Sequence, residues 1–151
     1  SLLRHPLAVS SLDQLAKGTF RGVLEDPEAD AGAATVLFCS GKIFYDLLQR
    51  RRELTRADVA IVRLELLYPF PQSQLRFVIK RFKQVREYFW VQEEPENMGA
   101  WRFVQARLEA VVGKPLAFIG RRESPTPATG FPHIYRREQA EILERAVGPK
   151  G

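Results

Sequence analysis

From residue 34 onward the chain alternates four times between a short apolar run and a segment of helical spacing. Few architectures accept that order. The first run, Ala34-Thr35-Val36-Leu37-Phe38-Cys39, is nearly continuous in apolar character, as a strand buried on both faces must be. A turn at Ser40-Gly41-Lys42 follows. Residues 43–54 then place Ile43, Phe44, Leu47, Leu48 and Leu54 on one side and Arg50 and Arg52 on the other, which predicts an amphipathic helix. The pattern recurs as strand 58–65 with helix 72–82, strand 86–92 with helix 100–112, and strand 116–119 with helix 135–147. Leu75, Val78, Ile79 and Phe82 point inward from the second helix, and Pro71 suits its first position. Strands alternating with helices predict an α/β fold, doubly wound, with a parallel sheet, helices on both faces and right-handed crossovers.

Residues 1–33 form a lead-in of mixed character. Ser11 can cap a short helix over 12–16 that Gly18 ends. Residues 19–24 alternate and predict a strand of open direction. The acidic stretch Glu25-Asp26-Pro27-Glu28-Ala29-Asp30-Ala31-Gly32 reads as a solvated loop. No Gly- or Ser-rich linker divides the chain, so residues 1–151 are expected to make a single domain.

Composition narrows the classes. No run of about 18 apolar residues occurs, so no membrane-spanning helix is expected. The start, Ser1-Leu2-Leu3-Arg4-His5-Pro6, lacks both a signal-peptide core and an initiator Met, which predicts a chain cut from something longer. The single cysteine, Cys39, excludes an internal disulfide and fits a reducing compartment. The net charge of +5 comes with no basic stripe interleaved with aromatics, so no nucleic acid is expected as partner.

Several residues invite chemistry. Ser40-Gly41-Lys42 opens a helix, where free amides and the Lys42 charge favour an anion; a tight turn without ligand is the plainer reading. No Gly-rich phosphate loop precedes it. Glu93 and Glu94 end a strand, so they aim at opposite faces, and Pro95 holds Glu94 extended. That geometry favours a structural role over paired acid/base catalysis. His5 and His133 sit near no ligand cluster, so no metal site is predicted. Cys39 reads as a core residue, and Trp90 and Trp101 as core or interface anchors. Arg121, Arg122, Arg136 and Arg137 bracket a Pro-rich loop; clustered guanidiniums suit carboxylate or phosphate, and a solvated or subunit-facing loop is the alternative.

These segments also occur, in order and with spacing intact, in a known family. They are Ser1-Leu2-Leu3-Arg4-His5-Pro6, Cys39-Ser40-Gly41-Lys42, Ala60-Ile61-Val62-Arg63-Leu64-Glu65, Leu67-Tyr68-Pro69-Phe70-Pro71, Val91-Gln92-Glu93-Glu94-Pro95 and Asn97-Met98-Gly99-Ala100-Trp101. Gly120-Arg121-Arg122 and Ser124-Pro125-Thr126-Pro127-Ala128-Thr129-Gly130 complete the set. The chain resembles the C-terminal region of the decarboxylating component of 2-oxoglutarate dehydrogenase. Arg122 stands where most members carry a proline, a departure confined to the local loop.

The resemblance implies a transketolase-like C-terminal domain whose five-stranded sheet has four parallel strands and one antiparallel, the last over residues 20–24. It implies a larger homodimeric enzyme of the tricarboxylic acid cycle, bacterial and cytoplasmic or mitochondrial. That parent would decarboxylate 2-oxoglutarate on thiamine diphosphate and Mg²⁺ and pass the succinyl group to a lipoyl-bearing partner. Its cofactor would lie in the preceding domains, so no catalytic or cofactor-binding residue is expected here. A structural loop over Glu93, Glu94, Pro95, Asn97, Gly99 and Trp101 is expected instead. An anionic effector, nucleotide or acetyl-CoA, is expected only at residues nominated by charge: Arg4, Lys42, Arg121 and Arg122. The competing reading is a self-standing flavodoxin-like phosphate- or nucleotide-binding module.

Overall fold

A computed structural model describes residues 6, 8, 9, 12–26 and 28–149. Its elements run α1 (Leu12–Lys17), β1 (Val23–Glu25), β2 (Thr35–Cys39), α2 (Ile43–Glu53), β3 (Val59–Leu64), α3 (Gln72–Ile79), β4 (Glu87–Pro95), α4 (Trp101–Val112), β5 (Leu116–Arg121) and α5 (Pro132–Val147). The five strands form one sheet in the order β1-β3-β2-β4-β5. β1 lies antiparallel to β3, with Val23 opposite Leu64, and the other pairings are parallel.

Side chains alternate across a strand, so each buried strand feeds two cores. On one face Val36, Phe38, Ala60, Val62, Leu64 and Trp90 meet Leu75 and Val78 of α3 and Trp101, Val104 and Leu108 of α4. On the other, Leu37, Cys39, Ile61, Val91 and Ile119 meet Ile43, Leu47 and Leu48 of α2 and Ile142, Ala146 and Val147 of α5. The result is a doubly wound three-layer α/β domain, as the alternation predicts.

The differences are local, and each has a physical cause. The strand expected over 19–24 forms only over 23–25; Phe20 is exposed, and only the last residues find a partner in β3. The cap expected from Ser11 lies outside the described residues. Pro71 stands one residue before α3, and α3 ends at Ile79. Phe82 still reaches the core from a tightened turn in which its N–H donates to the Ile79 carbonyl at 3.0 Å. β4 continues to Pro95 because β5 pairs with it again there, after an irregularity, with Pro95 opposite Arg121. α5 starts at Pro132, whose fixed φ is pre-set for a first turn.

Two charged residues contradict their local patterns more sharply. Asp26, in the acidic stretch read as solvated, is buried and ion-pairs with Arg51. Arg50, assigned to the polar side of α2, is only 9% exposed. α2 is covered by the sheet and by α5 together, so its buried arc is wider than one stripe.

Candidate functional site

In an open α/β sheet a ligand crevice forms beyond the carboxyl ends of the strands, where the strand order reverses. Here the reversal falls between β2 and β4: the chain leaves β2 for β3 on one side and returns to β4 on the other. Gly41, at φ 71°, turns the chain from β2 into α2 at this point. A side chain there would force a left-handed backbone on an L-residue.

The crevice is filled by the protein's own charges. Lys42 Nζ lies 2.9 Å from Asp46 Oδ2 and 3.3 Å from Glu93 Oε1. Tyr135 of α5 donates its hydroxyl proton to Glu93 Oε1 at 2.9 Å, and Gln139 Nε2 donates to Asp46 Oδ2 at 2.8 Å. Burial works against the Lys42 charge, but the hydrogen bond to Asp46 and the nearby Glu93 carboxylate outweigh it and raise the pKa above the ordinary lysine value. Burial likewise raises the Tyr135 phenol. Glu93 thus faces α2 and α5, while its strand neighbour Glu94 is exposed. The two carboxylates are separated, as strand alternation requires.

Behind this network stands Gln92, a residue the sequence reading did not single out. It shares a strand face with Trp90 and is 3% exposed. Its Oε1 accepts from Trp90 Nε1 at 2.8 Å and from the Trp101 N–H at 3.2 Å. Its Nε2 donates to the carbonyls of Met98 at 2.8 Å and Pro95 at 3.1 Å. One amide therefore ties the end of β4, the loop and the start of α4. Gly99 packs against it: a Cβ there would sit 2.8 Å from Gln92 Nε2, on a backbone at φ 67°. The signal available in the sequence was parity with Trp90; the partners are loop carbonyls, which no side-chain pattern reveals.

A second brace joins this loop to the one after β5. Asn97 donates to the Ser124 carbonyl at 3.0 Å and accepts from the Ser124 N–H at 3.1 Å. Arg121 Nε donates to the Glu93 carbonyl at 2.7 Å, and its Nη2 to the Pro127 carbonyl. Arg122 is exposed and lines a cleft of about 810 Å³ between β5, its following loop and α5. Arg137 and Glu141 line the same cleft and pair at 3.8 Å. Arg145 of α5 crosses to the sheet edge and donates to the carbonyls of Gly120 at 3.0 Å and Phe118 at 3.3 Å.

Of the nominated charges, the structure brings Lys42 and Arg121 to the same carboxyl edge, sets Arg122 just outside it, and leaves Arg4 outside the described residues. His5 is also outside them, and His133 packs its ring on Phe131. Cys39 is fully buried, which pushes its thiol pKa up and keeps it protonated and inert. Among the described residues no three His, Cys, Asp or Glu groups gather to hold a metal.

Fold and site together define a class: a doubly wound α/β domain whose switch-point crevice is occupied by its own ion pairs and braced loops rather than left open. Residues 9–147 match the family described as 2-oxoglutarate dehydrogenase C-terminal, and the chain belongs to that family. It is 43% identical over 151 residues to the 2-oxoglutarate dehydrogenase E1 component of Haemophilus influenzae, and 43% identical over 153 residues to that of Geobacillus kaustophilus. The alignment covers 97% of this chain in each case. It is also 42% identical, over 95% of its length, to a mouse protein named 2-oxoadipate dehydrogenase complex component E1. The chain spans only 16% of the length of each of these relatives.

Proposed function

We propose that this chain serves as the structural and assembly domain, not the catalytic one, of the decarboxylating component of a 2-oxoglutarate dehydrogenase. Residues 1–151 then form one transketolase C-terminal-like domain of a larger homodimeric enzyme of the tricarboxylic acid cycle. That enzyme decarboxylates 2-oxoglutarate and succinylates a lipoyl-bearing partner. The observation that carries the reading is the filled crevice. Lys42, Asp46, Glu93, Tyr135 and Gln139 bond to one another at the place where this fold usually receives a ligand.

Thiamine diphosphate, which supplies the electron sink for such a decarboxylation, finds no fitting donor set in the described residues. Its Mg²⁺ takes oxygen ligands around the diphosphate, yet the carboxylates at the carboxyl edge are held by Lys42, Tyr135 and Gln139. A self-standing phosphate-binding module fits less well, because its fixed cation, Lys42, already has two carboxylates. An anionic effector is better served by Arg122, which is exposed on the open cleft, than by Lys42 or Arg121.

Calorimetry on the purified chain tests the reading. Cooperative unfolding is expected, with no heat of binding for thiamine diphosphate and Mg²⁺ and no CO₂ released from 2-oxoglutarate. Micromolar cofactor binding, or turnover that survives removal of trace full-length enzyme, would make this a catalytic domain.

A further inference from the structure

We propose that the groove between α2 and α5 binds a small aliphatic monocarboxylate, gripped by the guanidinium of Arg50. The groove holds about 370 Å³, within the range of small-molecule sites. Arg50 lines it and is more than nine-tenths buried, and its Nη1 is wholly covered without a hydrogen-bond partner among the described residues. A guanidinium cannot escape this position by losing its proton. Its helix neighbour shows the usual remedy: Arg51, also buried, pairs with Asp26 and Glu28 and donates to the Val59 carbonyl at 3.3 Å.

No acidic side chain of this chain does the same for Arg50. All 18 Asp and Glu residues lie among the described residues, and none ion-pairs with it. The two carboxylates lining the groove are engaged elsewhere. Asp46 holds Lys42 and Gln139, and Glu53 accepts the Gln49 amide at 3.0 Å. Arg50 is thus left without an ion pair among the described residues, and a carboxylate entering the groove would supply one.

The surroundings select its chemistry. The planar fork of a guanidinium matches two coplanar oxygens, as a carboxylate presents them. The charged lining residues Lys42, Arg50, Asp46 and Glu53 sum to zero, so a monoanion is opposed less than a dianion such as phosphate. Leu143 offers the apolar surface on which a short alkyl chain can lie. The groove borders the crevice network and shares Lys42, Asp46, Tyr135 and Gln139 with it, but Arg50 takes no part in that network, and the site does not depend on the reading of the chain as a structural domain.

Titrating the chain with butyrate, read by NMR at the Arg50 Nε–H and the Leu143 methyls, tests the proposal. Saturating shifts at millimolar butyrate are expected, weakened at least tenfold in Arg50→Gln and unchanged in Arg122→Gln. Phosphate at matched ionic strength should leave these signals in place. Melting provides a second readout: butyrate should raise the Tm of the wild-type chain by mass action, but not that of Arg50→Met. Without ligand, Arg50→Met should melt higher than wild type, because an unpaired buried charge has been replaced by an apolar chain of similar reach. Shifts that grow linearly without saturating, an equal response to phosphate, or butyrate binding that survives in Arg50→Met would each overturn the site. Should the Arg50 variants fail to fold, the wild-type titration against phosphate decides alone.

Discussion

A single buried amide sets the path of the loop after β4. Replacing Gln92 by Leu keeps the volume but strands the Trp90 and Trp101 donors and the Met98 and Pro95 carbonyls. Each buried group left unpaired costs roughly 1–3 kcal/mol, and some will recover water. We expect Gln92→Leu to lose about 2–4 kcal/mol in urea unfolding; a loss below about 0.5 kcal/mol would show that the loop carries its own conformation. Arg51→Met should cost about 3–5 kcal/mol, because it leaves the Asp26 carboxylate buried without its counter-charge. These two residues also mark where a sequence stops being readable. Gln92 lies two residues after Trp90 on one strand, a parity the sequence reading did not use, and its bonds leave no sequence trace. Asp26 looked solvated because its neighbours are polar, and its partner sits 25 positions away on another element. Pairings of that kind leave no periodic trace.

At the scale of elements, α2 is the most constrained piece. Its last turn carries Arg50, Arg51 and Arg52, and Arg52 binds Glu28 through two nitrogens. The hydrogen bond from Arg52 holds the Glu28 carboxyl below its ordinary value of 4.5, and Arg56 does the same for Asp58 below 3.8. A carboxyl whose folded pKa is depressed stabilises the fold above its unfolded pKa and loses that contribution as pH falls through the folded one. The chain should therefore lose stability below about pH 4.5, and Arg52→Gln should flatten that acid limb by removing the largest of the contacts that lower Glu28. Tm measured from pH 3 to 7 in both proteins checks this; parallel curves would mean that the pair is fully screened. Across β4, α2 and α5, the Lys42–Glu93–Tyr135 contacts clamp three elements at once. In an intact enzyme, Glu93→Gln should reduce assembly or Tm more than turnover. Normal assembly with turnover down about a hundredfold would instead mark Glu93 as an acid/base group. The elements themselves were largely legible, since period-2 and period-3.6 patterns survive in the sequence. Their ends were not: β4 runs on because β5 pairs with it, and α3 stops before its apolar pattern does.

For the whole molecule, protection should follow the sheet order. β2, β3 and β4 lie inside the sheet, whereas β1 has three residues and one neighbour. Amides of β2 should exchange only by global opening, and those of β1 by local fraying. Native-state hydrogen exchange that finds β1 as slow as β2 would contradict this. The opposite margin raises a different matter. β5 is the outermost strand, so its unpaired carbonyls form a template onto which a foreign strand could be added. Arg145 takes two of them, on the alternate residues Phe118 and Gly120, with a single guanidinium delivered from α5. We expect the contact to act as a stopper against strand addition as well as a brace. Arg145→Ala should change Tm little, yet shorten the lag before thioflavin-positive fibrils grow from the folded protein. On that outcome, the last helix would be what denies the next chain its foothold at the edge of the five-stranded sheet.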